Sequence, residues 1–346
     1  MPRATAARKP VTSARSSSRL PIERAGCASY HLDVLHGSRD WPWIVLAVIA
    51  VLAPDSAFAW GPAAHLDFGL YALREAALLA PALRGLLLRN QEDYLYGCVA
   101  ADIIVGKNFA KTAYHCHTWP NGMRLLAAAH TDPLRALSYG FLSHLSADII
   151  AHNYFVPYKT VESHGAPATR HTYWELRFDQ VAHGDERVWE ALSRIGRRRF
   201  PEHDEFLQDN LLGASRLFSF RTSRRLFNSV MLLSRANHWR HAMSLVARHS
   251  RLELPEREVQ EYNRLTREAV MDFLVNGDAS RTMTADPIGA RAIRASRHLR
   301  GQMKSLRALR AFHEPDLHRV SSHIRSGFRN GIYGDLVIPD LGTHAA

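Results

Sequence analysis

The stretch "YGFLSHLSADIIAHNYF", residues 139–155, constrains this chain more than any other. It is an almost unbroken apolar run that carries three ionisable groups, His144, Asp148 and His152. At about 100° per residue, positions i, i+4 and i+8 drift by only about 40° per step. The spacing therefore predicts one helix with all three groups on a single stripe. A helix that is apolar on every side is a buried one. Two imidazoles and a carboxylate inside a core are unfavourable unless something satisfies them. A metal ion would do so, and so would a closed hydrogen-bonded cluster. This helix alone leaves both readings open.

The rest of the chain repeats the helical theme. Apolar spacing of helical period, broken by short Pro, Gly, Asn and Asp signals, predicts helices over 65–79, 90–105, 122–129, 133–156, 170–183, 185–198, 202–217, 223–250, 255–275 and 287–312. The tail after His313 reads as irregular. Strings of helices with no alternating pattern between them predict an all-α fold, a multi-helix bundle with a His/Asp/Glu-lined metal cleft. The 46% hydrophobic content is ample for one large core. A single domain is expected over 60–346. Its motifs lie in 60–178 and its Arg-rich helical half in 185–346, with a soft boundary near Gly184.

Further ligand-type residues crowd the first half. "RHTYWE" puts His171 and Glu175 at i, i+4, on one face of a second helix. Asp102 stands in "GCVAADII", His115 and His117 in "YHCHTW", and Trp60 and His65 in "WGPAAH". Singly, each has an ordinary explanation: a surface ion pair, a loop, a helix cap. Together, two Asp, one Glu and six His exceed what one tetrahedral zinc needs and suit about two or three ions. There are no paired CxxC motifs, so a hydrolytic site fits better than a zinc finger.

The chain's start explains why a tryptophan stands at position 60. Residues 1–40 carry seven Lys/Arg against three Asp/Glu, net +4. The uncharged "WPWIVLAVIAVLA" that follows is shorter than the roughly 20 residues of a membrane span. Ala57, Phe58 and Ala59 then complete the pattern of a secretory signal. Residues 1–59 are expected to be removed between Ala59 and Trp60, which gives a secreted or periplasmic protein. The competing reading is a retained membrane anchor; a start codon placed too far upstream, or a dispensable extension, would explain the long leader. The remainder has 37 Lys/Arg against 29 Asp/Glu, net +8, which favours anionic partners, lipid head groups or nucleic acid. Its two cysteines, Cys98 and Cys116, are not a disulfide framework: an oxidising compartment would permit a bridge, and two free buried thiols fit at least as well.

The order Trp, His, Asp, His, HxxxD…H, HxxxE resembles the bacterial zinc-dependent phospholipase C family. That family's members are all-helical trinuclear zinc enzymes whose free N-terminal tryptophan is a ligand. The resemblance spans about residues 60–178. It implies one Zn2+ at the Trp60 amine and carbonyl, His65 and Asp148. Asp148 would bridge to a second ion held by His144 and one histidine of "YHCHTW", with Asp102 beside it. His152, His171 and Glu175 would hold a third. An aromatic residue two places after the family's ligand histidine favours His117, followed by Trp119, and His115 stays open. The implied reaction is phosphodiester hydrolysis of a phospholipid at a membrane surface, giving diacylglycerol and a phosphorylated head group. Asp102 would orient water or take its proton, unless it is itself a ligand.

Two departures keep alternatives open. The four-residue step from Asp148 to His152 is short for the family, and the tight "WxxxxH" is similar to the single-strand-specific zinc nucleases, which share the fold. The final HxxxE is more like the phospholipases. A nuclease or other phosphodiesterase, and a degenerate metal-binding protein without catalysis, are the competing functions. No obligate protein partner is expected. Trp119, Tyr154, Phe155 and Tyr158 would face lipid or base, or belong to the core. Arginine clusters at 194–199, 221–225 and 291–300 would be a footing on anionic membrane or solvated helix faces. His238, His241, His313 and His318 read as surface residues.

Overall fold

The computed structural model describes residues 60–103, 116–165, 171–182, 185–211, 254–308, 314–338 and 341. Contacts divide the chain into two units, Met1–Arg39 and Asp40–Ala346, and every described residue lies in the second. Among the described residues there are helices and no strands, so the all-α expectation holds. The helices are α1 (Pro62–Arg74), α2 (Pro81–Arg89), α3 (Gln91–Ala100), α4 (Trp119–Ala128), α5 (Asp132–Ile150), α6 (Val156–Glu162), α7 (His171–Ala182), α8 (Glu186–Arg197), α9 (Pro201–Asn210), α10 (Glu256–Asn276), α11 (Ala290–Ala308) and α12 (Glu314–Asn330).

α5 is the central helix. Thr131 caps it by accepting the Leu134 N–H, with Pro133 in the first turn. It is buried from Leu134 to Ile150 on nearly every side. Its serines are satisfied locally: Ser138 and Ser146 donate to the carbonyls of Leu134 and Leu142, and Ser143 accepts from Tyr94. α3 crosses α5 at two glycines. A Cβ on Gly97 would overlap the Leu137 carbonyl, and one on Gly140 would overlap that of Tyr94. Only glycine permits this approach, and it brings the end of α3 against His144.

α5 does not run uniformly into α6. Residues Ala151–Phe155 form a π-turn. Pro157 has no N–H to give the Asn153 carbonyl, so the regular ladder cannot continue here. The step from Asp148 to His152 thus crosses from α-helix into the wider π-turn.

Other expectations need correction. The tail after His313 is not irregular, because Glu314–Asn330 is helical. Ile324 and Phe328, one turn apart, are fully buried and fix it in place. Charged residues dominate the other faces and hide the pattern. α2, a short proline-led helix, was not expected from the sequence. The helix expected over 223–250 and the end of that over 202–217 lie outside the described residues. So do Arg221, Arg224, Arg225, His238, His241 and His313; His318 falls in α12, but its side chain is not described. Cys98 and Cys116 are both buried, and Cys116 Sγ lies against His117 Nδ1. Trp119, Tyr154, Phe155 and Tyr158 all belong to the core.

A charged network joins α6, α10 and α12. Lys159 is fully buried, its Nζ 2.6 Å from both Glu162 Oε2 and Glu258 Oε2. Arg325 donates to Glu258 and Glu261 at 3.0 and 2.7 Å and to the Tyr154 hydroxyl at 2.9 Å. Every charge in it faces an opposite one.

Candidate metal centre

Four separate elements bring ligand-type side chains to one buried point. α1 supplies His65, the turn after α3 supplies Asp102, the segment entering α4 supplies His117, and α5 supplies His144 and Asp148. All five are buried. His144 Nε2 lies 3.0 Å from His117 Nε2 and 3.2 Å from Asp148 Oδ2. His117 Nε2 lies 3.3 Å from Asp102 Oδ1 and 3.6 Å from Asp148 Oδ2. His65 Nε2 lies 3.4 Å from Asp148 Oδ1, and its ring stacks on that of His144 at 3.8 Å.

The outward nitrogens are already engaged. His144 Nδ1 is 2.9 Å from the Cys98 carbonyl. A carbonyl only accepts, so Nδ1 carries the hydrogen and a neutral ring turns its Nε2 lone pair inward. His117 Nδ1 lies 3.2 Å from Cys116 Sγ. Partners of this kind orient metal-binding imidazoles.

The inward atoms fit a divalent cation. Neither nitrogen of His65 and neither oxygen of Asp148 makes a well-formed hydrogen bond, although all four are buried. Ligand atoms about 2.0–2.2 Å from a tetrahedral zinc stand about 3.3–3.5 Å apart. The separations here run from 3.0 to 3.9 Å. Two overlapping triads can be drawn, His65–Asp102–His144 and His117–His144–Asp148. Three imidazoles and two carboxylates, with no thiolate among them, are a set that zinc favours.

Electrostatics agree. Burial pushes the Asp148 carboxyl up, but His144 first, then His65 and His152, outweigh it and hold it well below the usual carboxylate range. Burial, and then the charge of His144, lower His65. The centre therefore favours an ionised Asp148 carboxylate beside a neutral His65, the protonation states in which these two groups bind metal.

The remaining sequence-predicted residues are in neither triad. His152 lies in the π-turn outside both triads, its Nδ1 2.5 Å from the Pro287 carbonyl. Glu175 is buried on α7, one turn after His171, whose side chain is not described. His115 lies outside the described residues. Trp60 is fully buried: its indole N–H donates to the Ala147 carbonyl at 2.9 Å, and its ring stacks on Phe155 at 5.0 Å. That anchor fixes the chain next to Asp148.

Sequence reasoning missed the groups that hold these elements in place. Gly61 and Pro62 open α1 without a capping side chain of their own. Asp179 of α7 supplies the cap, accepting the N–H groups of Ala63 and Ala64 at 3.2 and 3.0 Å. Burial pushes its carboxyl up to about 7, against those two hydrogen bonds. A Cβ at Gly61 would overlap that carboxylate. The signal was the missing N-cap before an otherwise clear helix. The second missed element is the loop before α11. Three consecutive carbonyls, Ala285, Asp286 and Pro287, take donors from Trp119, Asn153 and His152. Gly289, at φ 61°, then turns the chain so closely over His152 that a Cβ would overlap its main chain. Backbone acceptors leave no mark in a side-chain pattern.

The zinc dependent phospholipase C family matches residues 64–210. The matched segment runs from just before His65 to the end of α9, and it contains every ligand candidate except Trp60. No curated protein and no solved structure matches the chain.

Proposed function

Because the zinc dependent phospholipase C family matches residues 64–210, we propose that this protein is a secreted zinc hydrolase. It cleaves phospholipid to diacylglycerol and a phosphorylated head group. One observation carries the reading: the buried Asp148 carboxylate, without a well-formed hydrogen bond, has one oxygen towards His65 and the other towards His144 and His117. That is how a carboxylate shared by two cations would be presented.

His65 and Asp148, with the Trp60 amine that only cleavage after Ala59 creates, would hold one zinc. His117, His144 and Asp148 would hold a second, with Asp102 at its side, and His152, His171 and Glu175 a third. His115 stays the substitute for His117. Bound zinc supplies Lewis acidity towards phosphoryl oxygens and a water acidified to near neutral pH. Asp102, with Oδ1 3.3 Å from His117 Nε2, orients the attacking water and takes its proton on a carboxylate oxygen. His144 keeps its hydrogen on Nδ1 by donating to Cys98, so its Nε2 stays a ligand through the reaction. Trp60, Phe155 and Phe178 form one buried aromatic cluster, and the Trp60 indole N–H ties it to the Ala147 carbonyl, next to Asp148.

The nuclease reading loses its stacking platform, because Trp119, Tyr154, Phe155 and Tyr158 are buried. The test compares the secreted protein on phosphatidylcholine and on single-stranded DNA, with its N-terminus and zinc content read by mass spectrometry. Diacylglycerol release from a chain starting at Trp60 is expected. It should stop on chelation and fall about 10²-fold or more in Asp102→Asn. Hydrolysis of DNA alone would replace this reading, and a metal-bound protein inert on both would end it.

A further inference from the structure

We propose that the outer face of α11 docks the protein on a bilayer containing anionic phospholipid. The choice of a bilayer as occupant rests on the phospholipase reading above. α11 contains Arg291, Arg294, Arg297, Arg300, Lys304 and Arg307, and no Asp or Glu. Its two sides are sharply divided. Ala292, Ser296, Leu299, Met303 and Leu306 are buried, and Arg300 turns inward to donate to the Thr160 carbonyl and the Ser163 hydroxyl. Arg291, Arg294, Arg297, His298, Lys304 and Arg307 are exposed.

Several exposed arginines elsewhere in the protein close on carboxylates. Arg194 and Arg198 share Glu92, Arg264 pairs with Glu268, Arg187 with Asp185, and Arg329 with Glu261. Arg294, Arg297, Lys304 and Arg307 have no ion pair among the described residues, and Arg291 reaches a highly exposed Asp335 at 3.4 Å and the Leu336 carbonyl at 3.2 Å. Unneutralised cations on one helix face complement a negative lipid surface.

The face is also coupled to the metal centre. α11 begins directly after Gly289, and the Pro287 carbonyl two residues earlier meets His152 Nδ1 at 2.5 Å. Asp286 caps the start of the helix by accepting the N–H groups of Ile288 and Ala290, each at 3.0 Å. A bilayer held by the α11 arginines is thus tied through this short capped loop to the π-turn that carries His152.

The test uses the zinc-loaded secreted protein and sedimentation with phosphatidylcholine vesicles, with and without phosphatidylglycerol. The triple variant R294Q/R297Q/K304Q is compared with the charge-keeping R294K/R297K and with Arg264→Gln, a paired arginine elsewhere. Each basic residue near an anionic surface strengthens binding about fivefold, so the triple variant should bind about a hundredfold more weakly. The charge-keeping variant and Arg264→Gln should bind as wild type. High salt should release the wild type. Turnover of a water-soluble short-chain phosphatidylcholine should be the same in every variant, which also shows that they fold. Equal binding of the triple variant and wild type would overturn the docking face. So would equal binding of neutral and anionic vesicles, or tighter binding to single-stranded DNA than to anionic vesicles. Charge-dependent vesicle binding without any short-chain turnover would keep the face and remove the phospholipase reading.

Discussion

Two buried polar clusters lie on the same helical run, about three turns apart, and they are built on opposite plans. Around Lys159, every charge has an opposite charge from the chain itself: Glu162, Glu258, Arg325 and Glu261 close the network. Around Asp148, histidines and carboxylates converge without any Lys or Arg among them. One cluster is complete as folded and the other needs a cation from outside. Burial alone does not separate them, since Lys159 and Asp148 are both fully buried. What separates structure from binding here is whether the chain supplies both signs of charge.

The sharpest way to break this comparison is to remove one sign from the complete cluster. Lys159→Met leaves the buried Glu258 Oε2 without its cation, with Arg325 only on the other oxygen, and should cost about 3–5 kcal/mol in urea denaturation, with or without chelator. A loss below about 1 kcal/mol would show that the network is not the closed unit described. Asp148→Asn is the matching change at the other cluster. Zinc at a hundred times its Kd stabilises a folded protein by about 2.7 kcal/mol, and that increment should vanish in the variant. The metal-free proteins should meanwhile differ by less than about 1 kcal/mol. A large loss in the metal-free variant would make Asp148 a structural residue like Lys159.

Asp179 is a third case, a buried carboxylate satisfied by main-chain N–H groups, and pH tests it. Its folded value of about 7 lies above the ordinary carboxylate value, so the folded state holds a proton that the unfolded chain releases. The resulting stability is full below about pH 4 and is lost as pH rises through about 7. In the metal-free protein, Asp179→Asn should remove a slope of at most about 1.4 kcal/mol per pH unit across that window. An unchanged slope would assign it to another group. The smallest effect belongs to the surface: Arg264→Gln, which breaks an exposed pair with Glu268, should shift stability by no more than about 0.5 kcal/mol.

Much of the fold was legible because the strongest signals were local. The apolar run around His144 and Asp148 identified the buried helix and two ligand-type groups one turn apart. His65, Asp102 and His117 were also marked by residue type, yet only the fold shows that four elements converge on them. The rest was hidden for physical reasons. The π-turn follows from a carbonyl that Pro157 cannot satisfy, a backbone effect that residue periodicity does not register. α12 buries one narrow stripe beneath arginines, so its average character reads as irregular. Asp179 acts more than a hundred residues from the helix it caps, and the partners of His144 and His152 are main-chain carbonyls.

Those carbonyls also bear on where the protein can be cut. A fragment ending at Asn210 would keep the whole matched segment and every described ligand candidate. It would lack residues 285–287, which receive donors from Trp119, Asn153 and His152. The indole two residues after His117 and the ring of His152 would then lose their acceptors together. The stretch that looks like an autonomous enzyme by its motifs is therefore one half of a clasp. Shortening, fusing or permuting this protein has to keep both halves closed.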